Sequence, residues 1–282
     1  MWTFVNDKFL PREEATLPIT DLALQRGYAA FDYLRTVNGI PLFIEEYIER
    51  LKNSAAALRL VIPTENEWWV SRISTLIEKN KIPRSSGIRI TITGGNAPDF
   101  YTPVAPNIVI DEHPLTMPGE ALFNNGLHLF TYDYQRDLPA VKSINYLMAV
   151  WLQEAMKAAG ADDILYQKNN IISELPRANI FLISDANEIL TPDKNILEGI
   201  TRKKIVENAA SLGKVIKKPI TTDALWQAKE IFICSTTKRI LPVTTIDNRT
   251  IGDGQPGPIT KALHEQFIIM ENEIAAGKFQ NI

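Results

Sequence analysis

The sequence predicts an α+β protein of two domains. Its 282 residues are enough for two domains of ordinary size, and they are 45% hydrophobic and 22% charged, which is typical of a globular protein. In both halves of the chain, segments with the alternating period of strands are interleaved with segments that have the period of helices. A break at HPLTMPGEA places the predicted domains at residues 1–118 and 119–282.

The first half predicts a strand, a hairpin, two helices and two further strands. WTFV has the pattern of a short strand, and FDYLRTVNGIPLF predicts a hairpin because Asn38-Gly39 is a preferred two-residue turn between strands. Apolar residues recur at helical spacing in IEEYIERLKNSAAALRL and ENEWWVSRISTLIEKN. The strand segments GIRITITGG and NIVIDEH flank GGNAPDFYTPVAP, whose Gly and Pro residues predict a surface loop able to close over a site.

The second half predicts short strands and three helices. A strand near LHLFTY precedes SINYLMAVWLQEAMKAAG, a predicted helix with Ser143 as its N-cap and Gly160 at its end. One face of that helix carries the apolar residues Ile144, Leu147, Met148, Trp151, Leu152 and Ala155. The remaining segments are the strands ILYQKNNIISE, NIFLIS, EILTP, IFICS and VTTID and the helices TRKKIVENAASLG and PITKALHEQFIIMENEI.

Composition and charge exclude several classes of function. The formal net charge is -3 with no basic stripe, so we expect no nucleic-acid partner. No segment approaches the roughly 18 consecutive apolar residues of a membrane span, and the N-terminus lacks the pattern of a signal peptide. The single cysteine, Cys234, indicates a reducing, cytoplasmic setting. The three histidines His113, His128 and His264 lack the spacing of metal ligands, so we expect no metal site.

Lys142 lies in AVKSINYLM, between apolar residues and just before the predicted helix. A free lysine has a pKa of about 10.4, whereas a lysine used in catalysis is tuned to about 7–8. Apolar neighbours and the positive end of a following helix both favour the neutral amine. Lys142 is therefore a candidate catalytic residue, although most lysines in such a position are solvated.

Glu174 and the loop that ends at Gly199 together suit a ligand that has both a heterocyclic ring and a phosphate group. Glu174 lies between the apolar strand segments IIS and NIFLI, where a buried carboxylate needs a cationic or donor partner, such as the protonated nitrogen of a heterocycle. Gly199, Ile200 and Thr201 end a loop and open a helix, so their backbone N–H groups suit a phosphate. Each segment also has a plain structural interpretation, as a strand edge or a helix cap.

Two further segments add candidate phosphate ligands. Ser235, Thr236 and Thr237 follow a strand, and their hydroxyl and amide groups can surround an oxyanion. Arg50 can either pair with Glu46 on its own predicted helix or bind a phosphate with two nitrogens. Together with the lysine and the glutamate, these residues supply the parts that a pyridoxal phosphate site requires.

The sequence resembles the class IV aminotransferases, which are pyridoxal-phosphate enzymes of fold type IV. This group includes D-amino-acid transaminase, branched-chain aminotransferase and aminodeoxychorismate lyase. The resemblance implies an N-terminal α/β domain, a C-terminal pseudo-barrel α/β domain, a cofactor between them, and a homodimer in which the neighbouring subunit contributes to the substrate pocket. The segments that carry it, in the order and spacing of the family, are FDYLRTVNG, FIEEYIERLKNSA, VKSINYL, ISELPRANIFLI, LEGITR and FICSTTKRILPV.

The resemblance also implies roles for single residues. Lys142 resembles the lysine that forms the Schiff base with the cofactor and moves the substrate proton, and Glu174 the carboxylate at the ring nitrogen. Arg50 resembles the arginine that binds the phosphate. The other cofactor ligands implied are Tyr146 near the phenolic oxygen, the backbone of Gly199, Ile200 and Thr201, and the side chains of Ser235 and Thr236.

The substrate carboxylate requires a cationic partner that the family pattern does not locate here. D-amino-acid transaminases often use an arginine and a histidine in the loop after the GIRITIT strand, but GGNAPDFYTP contains neither. We expect Arg177 and Arg26 to bind the carboxylate in their place. Arg89 is a third candidate, but it can instead have a structural role, because branched-chain enzymes also carry an arginine at this position. Tyr28 and Thr237 are expected to line the substrate pocket.

Several functions are compatible with this set. The RGY segment and the chain length favour transfer between a D-amino acid and an α-keto acid such as 2-oxoglutarate or pyruvate. INYL favours a branched-chain L-amino-acid aminotransferase, and a lyase of the aminodeoxychorismate type would share the lysine and the cofactor. A non-catalytic binding module is disfavoured, because Lys142, Glu174 and Arg50 are all present.

Overall fold

The computed structural model describes residues 1–277 and divides into two compact units. The first unit contains Met1–Thr116, Val141–Asn145, and Glu273 with the described residues that follow it. The second contains Met117–Ala140 and Tyr146–Asn272. This division lies close to the boundary expected at residue 118, but it groups Lys142 with the first unit, whereas the sequence analysis assigned that lysine to the C-terminal domain.

The first unit is built around a six-stranded antiparallel sheet in the order β2-β1-β6-β5-β3-β4. The predicted hairpin turn is present at Asn38 and Gly39, which both have positive φ. The apolar face of helix α2 is buried, as its periodicity predicted. The elements are β1 (Trp2–Val5), β2 (Lys8–Pro11), α1 (Leu22–Arg26), β3 (Ala29–Val37), β4 (Ile40–Pro41), α2 (Ile44–Ala57), α3 (Asn66–Asn80), β5 (Ser85–Thr93) and β6 (Ile108–Pro114).

The second unit contains a mixed ten-stranded sheet whose main path is β12-β11-β10-β14-β15-β7-β8-β9-β13, with β16 paired to β15. Its core consists of aliphatic side chains contributed by most of these strands. None of the described helices is both long and apolar enough to cross a bilayer. The elements are α4 (Glu120–Asn125), β7 (Leu127–Asp133), α5 (Leu147–Trp151), α6 (Gln153–Ala158), β8 (Asp163–Lys168), β9 (Ile171–Ile172), β10 (Asn179–Ile183), β11 (Ile189–Thr191), α7 (Ile200–Asn208), β12 (Val215–Lys217), β13 (Ile220–Thr221), α8 (Thr222–Trp226), β14 (Glu230–Ser235), β15 (Arg239–Ile246), β16 (Arg249–Thr250) and α9 (Pro258–Ala275).

The helix after Lys142 differs from its prediction. Two short helices, α5 and α6, replace one continuous helix, and the N-cap of α5 is Tyr146 rather than Ser143. The predicted N-cap was therefore wrong. On the apolar face, Leu152 is buried, whereas Leu147 and Trp151 are 77% and 66% exposed. The helix begins late because the residues around Lys142 are extended and bond to a strand.

Candidate active site

The backbone of Lys142 is fixed by a strand and by a helix of the first unit. The N–H of Phe31 in β3 donates to the carbonyl of Lys142 at 2.9 Å, and the N–H of Ile144 donates to the carbonyl of Ala29 at 3.1 Å. The N–H of Lys142 donates to Oγ of Ser54, a buried residue of α2, at 3.2 Å. Because both strand and helix hold this segment, the start of the lysine side chain has a defined position.

The side chain of Lys142 lies against an aromatic ring that a second cation also contacts. Nζ of Lys142 is 4.7 Å from the ring centroid of Phe31, and Cζ of Arg89 is 3.9 Å from the same centroid. Both contacts are within the range of cation–π attraction. Tyr33 lies directly opposite Arg89 in the β3–β5 pairing, and burial raises the pKa of its hydroxyl. The first unit therefore brings the amine of Lys142 and the guanidinium of Arg89 together at Phe31, a grouping suited to an anionic substrate.

Arg50 is held by a buried carboxylate. Its Nε donates to Oδ2 of Asp32 at 2.9 Å and its Nη2 donates to Oδ1 at 2.6 Å. Asp32 has no exposed surface, and only 11% of the Arg50 side chain is exposed. The guanidinium also lies 5.3 Å from the ring centroid of Tyr47. Asp32 was not predicted from the sequence, in which its signal is an acidic residue within a largely apolar strand segment.

Glu174 is a buried carboxylate of the second unit with donors on both of its oxygens. Oε1 accepts from Nε and Nη2 of Arg136 at 2.8 and 2.6 Å, and Oε2 accepts from the backbone N–H of Leu197 at 2.9 Å. Nη2 of Arg136 also donates to the carbonyl of Pro139. Arg136, in the loop after β7, was not identified from the sequence, although a buried carboxylate was expected to need such a partner.

The N-terminus of α7 follows a loop fixed by two hydrogen bonds. Leu197 donates its N–H to Glu174, and its carbonyl accepts from Nδ2 of Asn179 at 2.9 Å. Gly199 is the N-cap, and a Cβ atom there would collide with the Asn179 side chain. The buried residues Ile200 and Thr201 form the first turn, where backbone N–H groups lack intrahelical acceptors. This turn has the features of a phosphate-binding helix end.

The hydroxyl residues predicted to contact phosphate lie at the β14–β15 hairpin. Ser235 is the last residue of β14, and Thr236 and Thr237 follow in the tight connection. Oγ of Ser235 is buried and has no hydrogen-bond partner among the described residues. A buried hydroxyl without a partner is unfavourable, so an oxyanion at this position would satisfy it. The second unit therefore has donor groups that fit the phosphate of a cofactor.

Comparison with known proteins identifies the family. The model of the family Amino-transferase class IV matches residues 29–246. The chain belongs to the class IV aminotransferases. This membership confirms the expected fold type IV architecture, the aminotransferase activity and the dependence on pyridoxal 5'-phosphate.

Individual relatives of this class IV aminotransferase cover nearly all of the chain. It is 31% identical over 268 residues to the D-alanine aminotransferase of Bacillus licheniformis, an alignment that covers 93% of this chain and 94% of that protein. The D-alanine aminotransferase of Listeria innocua is 29% identical over 285 residues, with 95% of each chain covered. A crystal structure of a branched-chain amino acid aminotransferase with pyridoxamine 5'-phosphate superimposes with a TM-score of 0.90 at 27% identity, covering 98% of this chain and 96% of that one.

The two arginines expected to bind the substrate carboxylate are exposed, and they belong to different units of the aminotransferase. Arg26 is the last residue of α1, and its Nη1 donates to the carbonyl of the preceding residue at 2.8 Å. Arg177 lies in a tight turn in which the N–H of Leu175 donates to the carbonyl of Ala178 at 2.9 Å. Arg89 differs from both, since it packs on Phe31 beside the lysine.

The two tyrosines of the predicted site have distinct local environments. The hydroxyl of Tyr28 donates to the carbonyl of Leu58 at 2.6 Å, which fixes the ring in the first unit of the aminotransferase. Tyr146 is the half-buried N-cap of α5, and the chain returns to the second unit at this residue.

Proposed function

We propose that this aminotransferase moves an amino group from a D-amino acid to an α-keto acid such as 2-oxoglutarate or pyruvate. The observation that supports this most is its identity of 31% to a D-alanine aminotransferase over nearly the whole chain. Branched-chain L-amino acids are the second candidate substrates, which the TM-score of 0.90 to a branched-chain amino acid aminotransferase supports. Relatives at 31% identity include both a D-alanine aminotransferase and a putative branched-chain-amino-acid aminotransferase.

The roles proposed for the side chains follow from their chemistry. When bound, pyridoxal phosphate supplies an aldehyde and a ring that withdraws electrons from the substrate α-carbon. We propose that the amine of Lys142 would hold the cofactor covalently and would act as the base that takes the proton from the substrate α-carbon. The carboxylate of Glu174 would accept a hydrogen bond from the protonated ring nitrogen.

Several groups are proposed to bind the phosphate of the cofactor. We propose that Arg50, already oriented by Asp32, binds it as a cation. Neutral donors would come from the backbone of Gly199, Ile200 and Thr201 and from the hydroxyl groups of the β14–β15 hairpin. The buried Ser235 Oγ would gain a hydrogen bond that no described residue supplies. Tyr146 is proposed to approach the phenolic oxygen of the same cofactor.

Substitution of Lys142 by Ala should abolish covalent attachment of the cofactor. Treatment of the wild-type protein with borohydride should leave the reduced cofactor on the peptide that contains Lys142, as measured by mass spectrometry. The variant should yield no such adduct, and an exposed control variant, Lys168→Ala, should behave as the wild type. An adduct on a different lysine, or a wild type that stays colourless after incubation with pyridoxal phosphate, would contradict the proposed role.

We propose that Arg177 and Arg26 bind the substrate carboxylate, with Arg89 as the alternative beside Lys142. Both proposed arginines are exposed and therefore accessible to an anionic substrate, and a charge-assisted hydrogen bond contributes about 1.5–3 kcal/mol. Thr237 and Tyr28 are proposed to line the same pocket.

A panel of D-alanine, D-glutamate, L-leucine and L-glutamate as amino donors tests the substrate and its arginine together. The wild type should use the D-amino acids, and Arg177→Ala should raise their KM about 10-fold or more with a smaller change in kcat, since one charge-assisted contact is lost. The exposed Arg249→Ala variant should leave KM unchanged. Activity confined to L-leucine would overturn the D-specific proposal, and an unchanged KM in Arg177→Ala would place the carboxylate elsewhere.

We propose that the aminotransferase is a homodimer that buries the exposed face of α5. Leu147, Val150 and Trp151 are 77%, 63% and 66% exposed and occupy positions i, i+3 and i+4, so they form one apolar surface. Exposed apolar surfaces of this kind mark association sites, and a second copy of the chain is the occupant that the family resemblance implies.

Substitution of Trp151 by Arg should convert the dimer to a monomer, because a charge would replace the largest apolar side chain of this face. Sedimentation equilibrium would measure the change. Ile269→Arg, at an isolated exposed apolar residue of α9, is the matched control and should leave the mass unchanged. A wild type that sediments as a monomer, or a Trp151→Arg variant that remains dimeric, would rule out this interface.

We also propose a cytoplasmic location. Cys234 is the single cysteine of the sequence and is buried, and burial raises the pKa of its thiol to about 12. The chain therefore has no pair of thiols to oxidise and no reactive thiol to protect. Fractionation of cells that express the native protein would test this location.

A further inference from the structure

We propose that Arg136 is a positioning residue that sets the orientation and charge of Glu174 and, through Glu174, the loop that leads to α7. Nε and Nη2 of Arg136 both donate to Oε1 of Glu174, and Oε2 accepts the N–H of Leu197. This inference rests on the proposed contact between Glu174 and the cofactor ring nitrogen. It adds a residue that controls that contact without making it.

The setting of this ion pair explains why the arginine matters. The side chains of Arg136 and Glu174 are only 16% and 6% exposed. The neighbouring Tyr166 is also buried, its backbone N–H donates to the carbonyl of Glu174, and burial raises the pKa of its hydroxyl strongly. A carboxylate in such a poorly solvated position stays ionised only if a cation or several donors compensate its charge.

An ionised, fixed Glu174 is what a protonated ring nitrogen requires. A neutral carboxylic acid is a much weaker acceptor for a pyridinium N–H, and a rotated carboxylate is misplaced for it. Removal of the Arg136 charge favours both outcomes, because the buried carboxylate must then gain a proton or turn towards water. The loss of affinity for pyridoxal phosphate should grow as the pH falls. A carboxylate that has lost its cationic partner takes up a proton at a higher pH than a carboxylate that is still paired.

The same carboxylate reaches the phosphate-binding end of α7. Leu197 donates to Oε2 of Glu174 and accepts from Asn179, and the Asn179 side chain packs against Gly199 at the N-cap. The helix itself has a separate anchor in Arg202, which is fully buried. Loss of Arg136 should therefore loosen the approach to the helix and weaken cofactor binding, while α7 stays folded.

The test is the affinity of the cofactor-free protein for pyridoxal phosphate, measured by absorbance titration at several pH values. Arg136→Gln should weaken binding about 10- to 100-fold, and more at lower pH, whereas Arg136→Lys, which keeps the charge, should recover part of the affinity. Arg239→Gln is the matched control, because it removes another ion pair of the same unit, the one between Arg239 and the buried Glu271. It reports any loss of affinity that comes only from a general loosening of the fold. Near-ultraviolet circular dichroism confirms folding, and if Arg136→Gln does not fold, Arg136→Lys decides the question.

A double-variant cycle separates this inference from the proposed role of Glu174. If Arg136 acts through the glutamate, Arg136→Gln combined with Glu174→Gln should bind the cofactor no more weakly than Glu174→Gln alone. Additive losses, or an Arg136→Gln variant that binds like Arg239→Gln, would overturn the inference while leaving the glutamate's role intact. If Glu174→Gln binds the cofactor as the wild type does, the proposed contact with the ring nitrogen is itself wrong.

Discussion

The charge of Glu174 is the constraint on which the site in the second unit depends. A carboxylate whose side chain is 6% exposed cannot remain ionised without compensation, and here the compensation is an arginine and a backbone N–H. Each donor comes from a different loop, so satisfying one charge also fixes those loops. The loop after β7 and the loop before α7 thus converge on one carboxylate, and the N-terminal end of α7, which we propose binds the phosphate, is positioned as a consequence.

The first unit applies the same principle to Arg50. Two nitrogens of its guanidinium are paired with the fully buried carboxylate of Asp32, which fixes the orientation of the cation that we propose binds the phosphate. Pre-oriented groups bind a ligand without a further loss of side-chain entropy. Lys142 is positioned by other means: its backbone is held by β3 and α2, while its amine rests on the ring of Phe31. Its position therefore depends on main-chain hydrogen bonds and an aromatic contact.

The features that the sequence predicted well are those set by local pattern. The Asn38-Gly39 hairpin, the buried face of α2 and the helix that opens at Gly199 each follow from turn chemistry or periodicity within a few residues. Asp32 and Arg136 were missed because their partners are 18 and 38 residues away, and nothing local indicates such pairs. The start of α5 was misplaced for a related reason, since long-range bonds to β3 hold the preceding residues extended.

The most direct test of the central claim, that Glu174 is an ionised partner of a protonated ring nitrogen, is nitrogen-15 NMR of the bound cofactor labelled in its pyridine ring. We predict that the ring nitrogen has the chemical shift of a protonated pyridine in the wild-type protein at neutral pH. In Glu174→Gln, whose amide matches the shape of the carboxylate without its charge, the shift should move to that of an unprotonated ring. A wild-type spectrum with an unprotonated ring nitrogen at neutral pH would contradict this account.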